Sequence, residues 1–218
     1  MNLVMEYPII ITGASRGLGA ALALKFAHKF HIIAVAKTTG GLEELDDRIK
    51  KIGGQATLAP IDITDANAIS HLCRSIHDRW GGLRLWAHCA IHAAPLSPVN
   101  FIAVRDWEKS VNVNIKTTGM LIPNIAPLLW ENGTALFFND PCAGKKFFGS
   151  YGATKTAQIS LVQSWQAETV NTGPNIQIVT PAPMPTATRA RFYPGEDREA
   201  LSSCEIEAEH IITTLGVI

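Results

Sequence analysis

The sequence predicts a single-domain, doubly wound α/β fold built on a parallel sheet and spanning residues 1–218, and three observations carry that expectation. Short apolar runs alternate with longer amphipathic segments along the whole chain. A glycine-rich turn links the first apolar run to the first helical pattern. The composition also suits one core: 47% of the 218 residues are hydrophobic, and no repeat, low-complexity tract or shift in composition divides them.

The elements follow in order. Tyr7 to Ile11 reads as the first strand and Ala20 to His28 as the helix after it. The runs Ile32–Ala36, Ala56–Ile61, Leu83–Ala87, Ala135–Phe138 and Ile176–Val179 are short and mostly apolar, as strands buried on both faces are. Helical segments near 42–52, 65–80, 105–129 and 151–170 lie between them, each long enough for a right-handed crossover. Pro123 and Pro127 fall in the third of these, so its second half is expected to bend or end early. The three prolines of Pro181–Thr186 remove N–H donors and fix φ, which predicts an extended loop. Arg189 to Leu201 reads as polar loop and Glu205 to Leu215 as a last amphipathic helix, with no room for a strand after it.

Charge and cysteine usage exclude several function classes. Nineteen lysines and arginines balance nineteen aspartates and glutamates, so no global field draws in nucleic acid or an acidic membrane surface, and a small-molecule partner is favoured. Met1–Glu6 lacks a basic n-region and no apolar run spans a bilayer, which predicts a soluble, cytoplasmic protein. Cys73, Cys89, Cys142 and Cys204 lack CxxC spacing and are expected to be reduced, mostly buried thiols. The histidines lack metal-ligand spacing, and no metal is expected.

The glycine turn is Thr12-Gly13-Ala14-Ser15-Arg16-Gly17-Leu18-Gly19. Gly13 permits the tight turn, Gly17 lets backbone approach a pyrophosphate and Gly19 allows close helix–strand packing, while the helix N-terminus offers free N–H groups. Ligands of open α/β sheets bind outside the carboxyl ends of the strands, so residues following each apolar run matter most. After the second strand stands Lys37, where an NAD-selective carboxylate is missing, and Arg16 projects from the glycine loop. Two cations there pair with a 2′-phosphate, which favours NADP(H) over NAD(H).

The TGxxxGxG spacing resembles the glycine motif of the short-chain dehydrogenase/reductase family, a Rossmann-like fold, and the resemblance runs to Thr186. It implies cofactor contacts from Gly13, Ser15, Arg16, Gly17, Leu18 and Gly19, and an adenine contact from Asp62 with Ile63 beside it. An N-cap role for Thr64 or Asp65 is the alternative for the rest of that segment. Where the family shows Asn-Asn-Ala-Gly, the chain has His88-Cys89-Ala90-Ile91: Ala90 keeps the small residue the cofactor needs, but Ile91 sends the loop along a different path. Pro181 is implied to lie beneath the nicotinamide and Thr186 to bind its carboxamide.

Tyr151 and Lys155 share one helical face through their four-residue spacing and match the family's YxxxK motif. The resemblance implies that Lys155 lowers the phenol's pKa and holds the nicotinamide ribose, with Tyr151 as acid/base. It assigns Asn114 to a proton relay, a satisfied interior amide being the alternative. The family's carbonyl-polarising serine is missing: counting back from Tyr151 reaches Phe138, followed by Asn139 and Asp140. Asn139 can donate an amide hydrogen bond in its place or simply belong to an Asn-Asp-Pro turn, whereas an ionised Asp140 would repel an oxyanion.

These residues imply an NADP(H)-dependent oxidoreductase interconverting a carbonyl and a secondary alcohol, with residues 182–203 as a variable loop covering the substrate. The alternative is a non-catalytic NADP(H)-binding sensor or scaffold; a flavin or mononucleotide binder would not call for Tyr151 with Lys155. The family's pairing through two long helices, here 105–129 and 151–170, implies a homodimer using Trp107, Leu121, Leu128, Ile159, Leu161, Val162 and Trp165. A dimer is expected over a tetramer, because the second family interface needs a last strand for which the chain has no room.

Overall fold

A computed structural model describes residues 7–216. Met1–Glu6, read above for a leader segment, lie outside the described residues. The strands are β1 (Ile9–Thr12), β2 (Ile32–Val35), β3 (Ala56–Ala59), β4 (Leu83–His88), β5 (Leu129–Phe138) and β6 (Asn175–Val179). They form one parallel sheet in the order β3-β2-β1-β4-β5-β6. The order reverses between β1 and β4, so the crevice at their carboxyl ends is where a ligand fits.

The helices α1 (Gly17–Phe26), α2 (Thr39–Lys51) and α8 (Cys204–Leu215) cover one face, and α3 (Ala66–Trp80), α5 (Thr117–Ile125) and α6 (Gly149–Thr169) the other. Strand periodicity divides the core between the faces. Ile9 and Ile11 pack with Leu22, Phe26 and Ile211, while Ile10 packs with Trp86, Phe137, Val162 and Trp165 on the opposite side. No described helix is long and apolar enough to cross a membrane.

Two segments depart from expectation. The predicted helix 105–129 is a composite of α4 (Val104–Ser110), a π-helical stretch (Val111–Lys116), α5 and a 3₁₀ turn (Ala126–Leu128). Pro123 sits within α5 and Pro127 in the turn that ends it, as the missing N–H groups require, but the π stretch has no proline to announce it. The polar segment read as loop contains α7 (Ala187–Phe192), whose N-cap is Thr186, its Oγ1 accepting from the Arg189 N–H at 3.1 Å. A bidentate Arg189–Glu196 pair, at 2.6 and 2.5 Å, ties this short helix to the loop that follows it, and the Arg191 bond to the Ala93 carbonyl, at 2.6 Å, ties it to the loop after β4.

Candidate active site

The loops after β1 and β4 meet backbone to backbone. Gly13 has φ +85°, and a Cβ there would come within 2.6–2.8 Å of the Cys89–Ala90 backbone. The Gly13 and Ala14 N–H groups both donate to the Val35 carbonyl, at 2.8 and 3.1 Å, so the loop is moored to the end of β2. A Cβ on Gly19 would collide with the Gly13 carbonyl, which is why α1 can start so close to its strand. The N-termini of α1 and α2 have neither a side-chain cap nor an acidic residue in the first turn, leaving free N–H groups and a positive dipole end for an anion. Ser15 lies against Gly41 at the start of α2, which brings the two N-termini together.

Of the two predicted phosphate cations, Arg16 is exposed and Lys37 is engaged. The Lys37 ammonium donates to Asp62 at 2.7 Å, which raises the lysine pKa and holds the carboxyl below its ordinary value. The other Asp62 oxygen accepts from the Thr64 N–H and hydroxyl at 3.1 and 2.9 Å. Asp65, and not Thr64, caps α3 through the Asn67 and Ala68 N–H groups. Ile63 is buried in the core on one face of the sheet, and Leu18 packs against the core on the other. Across the glycine loop, the Thr186 methyl would lie 3.5 Å from a Cβ on Gly17, so the start of α7 closes over the cradle. Behind it, the buried Glu207 accepts from the Ala182 N–H at 2.9 Å and ties the Pro181 loop to α8.

Tyr151 and Lys155 stand side by side on α6, with relative exposures of 5% and 6%. Gly152 makes this possible: a Cβ there would come 2.9 Å from the Cys142 carbonyl, so only glycine lets the loop after β5 approach α6. The Tyr151 hydroxyl donates to Asp140 Oδ2 at 3.0 Å, and the Cys142 thiol donates to Oδ1 at 2.7 Å. Burial first, and then the Asp140 charge, push the Tyr151 pKa up. The Asn139 amide is not brought to Tyr151: it donates to Thr180 Oγ1 at 3.2 Å, and the Asn139 N–H bonds the Val179 carbonyl, extending the ladder to β6. Successive residues of an extended chain point to opposite sides, so Asp140 takes the site-facing position.

Lys155 turns inward. Its ammonium donates to Gln158 Oε1 at 2.8 Å, and Gln158 in turn donates to Thr118 Oγ1 at 2.8 Å. Burial lowers the lysine pKa to about 8 against the opposing pull of Asp140. His88, in the place of the family's asparagine, sits below, bonded through Nδ1 to Thr12 Oγ1 at 2.7 Å. Burial and then Lys155 hold its pKa at about 3, so its imidazole is neutral. Asn114 lies in the π stretch and clamps the altered loop: it accepts from the His92 N–H at 2.7 Å and donates to the His92 carbonyl and Thr154 Oγ1 at 2.9 and 3.0 Å. Its side chain is fully satisfied by protein.

The sequence reading missed Gln158, although its place three residues after Lys155 and seven after Tyr151 put it on the same helical face. It also missed that Phe192 of α7 packs on Tyr151, ring centroids 4.8 Å apart, beside Phe148. The four thiols are free; burial raises the pKa of Cys73 to about 11 and of Cys89 and Cys142 to about 12.

A glycine cradle between two uncapped helix N-termini, a tyrosine–lysine pair across the crevice and the small Ala90 between them fit a dinucleotide. Comparison with known proteins agrees, since the family model described as short chain dehydrogenase matches residues 8–197. The chain belongs to the short-chain dehydrogenase/reductase family. It is therefore an oxidoreductase by descent. Its relatives include the uncharacterized oxidoreductase Lmo0432 of Listeria monocytogenes, 29% identical over 89% of this chain and 81% of its own. A Pseudomonas syringae protein assigned as a short chain dehydrogenase superposes with TM-score 0.87 at 26% identity, covering 96% of this chain and 89% of that one. A Shigella flexneri short chain dehydrogenase solved with NADP shares the fold, with TM-score 0.85 and 23% identity over 92% and 87% of the two chains.

Proposed function

We propose that the protein is an NADP(H)-dependent reductase or dehydrogenase that interconverts a small carbonyl compound and a secondary alcohol, with Tyr151 as the acid/base. The observation that carries this reading is the pairing of Tyr151 and Lys155 on α6 across the crevice from the uncapped glycine cradle. Gly13, Ser15, Arg16, Gly17 and Gly19 would hold the pyrophosphate, Pro181 and Thr186 would bound the nicotinamide end, and Lys155 would meet the ribose. When bound, the reduced nicotinamide supplies a hydride. Tyr151 then gives its proton to the substrate oxygen, in a pocket that Phe148, Phe192 and Tyr193 make dry and aromatic.

The Lys37–Asp62 pair bears on cofactor choice. Both groups are open to solvent, and such a pair contributes little, so a 2′-phosphate can draw Lys37 away and join it to Arg16. The reading thus prefers NADP(H), in line with the NADP complex of the Shigella flexneri relative. Asp62 is left free for the adenine amine. A homodimer through α4 and α6 is part of the proposal, on a smaller apolar surface than the sequence suggested. Leu121, Leu128, Ile159, Val162 and Trp165 are buried in the monomer, and Val104, Trp107 and Leu161 remain exposed.

The experiment is a titration with NADPH and NADH by nucleotide fluorescence, followed by a panel of aldehydes, ketones and diketones scored for NADPH oxidation. Turnover that a Tyr151→Phe variant loses by about 10²-fold or more, with NADPH binding spared, supports the reading. Tight NADPH binding with no turnover across the panel favours the non-catalytic sensor. Full turnover by Tyr151→Phe removes Tyr151 as the acid.

A further inference from the structure

We propose that the rim of the Tyr151 pocket carries an outer apolar subsite, built from Val99, Phe101 and Phe147, which takes the hydrocarbon tail of the substrate. The substrate class is then a carbonyl compound or secondary alcohol with an uncharged chain of medium length. The inference deepens the reading of the Tyr151 pocket as the substrate site and rests on it.

Phe147 supplies the first observation. Its φ is +72°, and among the described residues it is the one non-glycine in the left-handed region, where a bulky side chain is disfavoured. The strained backbone is held in place by the Ser97 N–H, which donates to the Phe147 carbonyl at 3.2 Å. The result is an aromatic ring turned outward: Phe147 is 40% exposed, while Phe148, next in the chain, is buried against Phe192 and Tyr193. Glycine would relieve the backbone and burial would shelter the ring, and the chain does neither. Strain kept at such a position belongs to a site rather than to the core.

The second observation is continuity with the pocket. Ile91, Ala93 and Leu96, from the loop after β4, belong to the apolar cluster around Tyr151. The same loop then emerges as a 3₁₀ turn (Val99–Phe101) whose two end residues are each 74% exposed. The loop after β5 repeats the pattern, with Phe148 inside and Phe147 outside. Besides the Ser97 bond, the two loops meet at Gly149, where a Cβ would come 3.1 Å from both the Val99 Cγ2 and the Ile102 Cδ1. Apolar surface thus runs from Tyr151 to solvent along both loops, and Phe192 of α7, packed on Tyr151, closes the other side. A tail leaving the pocket along these loops takes Val99, Phe101 and Phe147 out of water. Lys146 crosses the Phe147 ring, its ammonium 4.7 Å from the centroid, and an exposed contact of that kind yields at little cost.

The test is a chain-length series. With NADPH and methyl ketones from 2-butanone to 2-decanone, kcat/KM should rise about 2–4-fold for each methylene that reaches the rim, through KM and not kcat. Phe147→Gly suits the left-handed backbone and leaves the loop folded; it should flatten the rise across the longer ketones and keep the 2-butanone constants within about twofold. Phe147→Leu should keep most of the rise, and Phe101→Ser should lower it. Calorimetry of 2-butanone and 2-decanone on protein holding NADP+, a pairing that cannot react, reads the subsite without turnover. There 2-decanone should bind at least about tenfold more tightly, and Phe147→Gly should lose most of that gain. Equal affinity for the two ketones, or a gain unchanged in both Phe147→Gly and Phe101→Ser, overturns the subsite. So does light scattering in which either variant turns a wild-type dimer into a monomer, because a second copy of the chain then covers the rim. Phe147-dependent binding of 2-decanone without turnover of any ketone upholds the subsite and faults the acid assignment instead.

Discussion

Replacing Gly13 by alanine tests whether the cradle depends on backbone contact between the loops after β1 and β4. Two costs add. At φ +85° an alanine takes the left-handed region, which costs about 1–2 kcal/mol. Its Cβ would also stand 2.6 Å from the Ala90 nitrogen and 2.8 Å from the Ala90 Cα and the Cys89 carbonyl carbon, all backbone atoms of a central strand's exit. Relief requires β1 and β4 to separate at their carboxyl ends, an overpacking strain of about 1–3 kcal/mol. Gly13→Ala should therefore lose about 2–5 kcal/mol, a large part of the roughly 5–15 kcal/mol that stabilises a domain. Two other glycines calibrate this. Gly17 has φ +57° but meets only the Thr186 side chain, at 3.5 Å, so alanine there should cost the conformational part alone, about 1–2 kcal/mol. Gly40, in the first turn of α2, meets nothing within 4 Å, and alanine should stabilise by up to about 1 kcal/mol. Urea unfolding followed by circular dichroism gives the three midpoints, and fluorescence gives NADPH affinity. A Gly13→Ala protein within about 0.5 kcal/mol of wild type, with normal NADPH binding, would refute the argument from backbone contact.

Three further predictions concern the charged groups. The double variant Arg16→Ala, Lys37→Ala should weaken NADPH binding by about tenfold or more while leaving NADH nearly unchanged; equal losses for both nucleotides would show that neither cation reads the 2′-phosphate. Lys155, at about 8 in the folded chain against an ordinary 10.5, binds its proton less readily when folded than when unfolded. Its burial cost is complete below about pH 8 and fades as the pH rises toward 10.5, so this site contributes stability that grows across that window. Lys155→Met should flatten that part of the urea-midpoint profile. Gln158→Leu should destabilise by about 1.5–3 kcal/mol at neutral pH, because the ammonium loses its acceptor, and a midpoint unchanged from wild type would contradict the bond.

Much of this molecule is written locally. Apolar runs such as Ile9–Ile11 and Ile32–Val35 suit strands covered on both faces, and the glycine spacing resembles the family's nucleotide-binding turn. The four-residue interval of Tyr151 and Lys155 likewise fixes their common face on α6. Other features are decided by atoms brought together from distant parts of the chain. Asn139 and Asp140 are adjacent and both polar, and which of them faces Tyr151 depends on where the ladder from β5 to β6 ends. Lys37 and Asp62 each looked like a ligand for the cofactor, yet the end of β2 lies beside the end of β3 and they bind each other. Gln158 gains its meaning from a lysine left without a closer acceptor once α6 is buried, and the π stretch around Asn114 from the loop it must clamp. Periodicity and spacing report on one element at a time. Register between strands and the pairing of buried charges are settled only when the sheet and its helices close together.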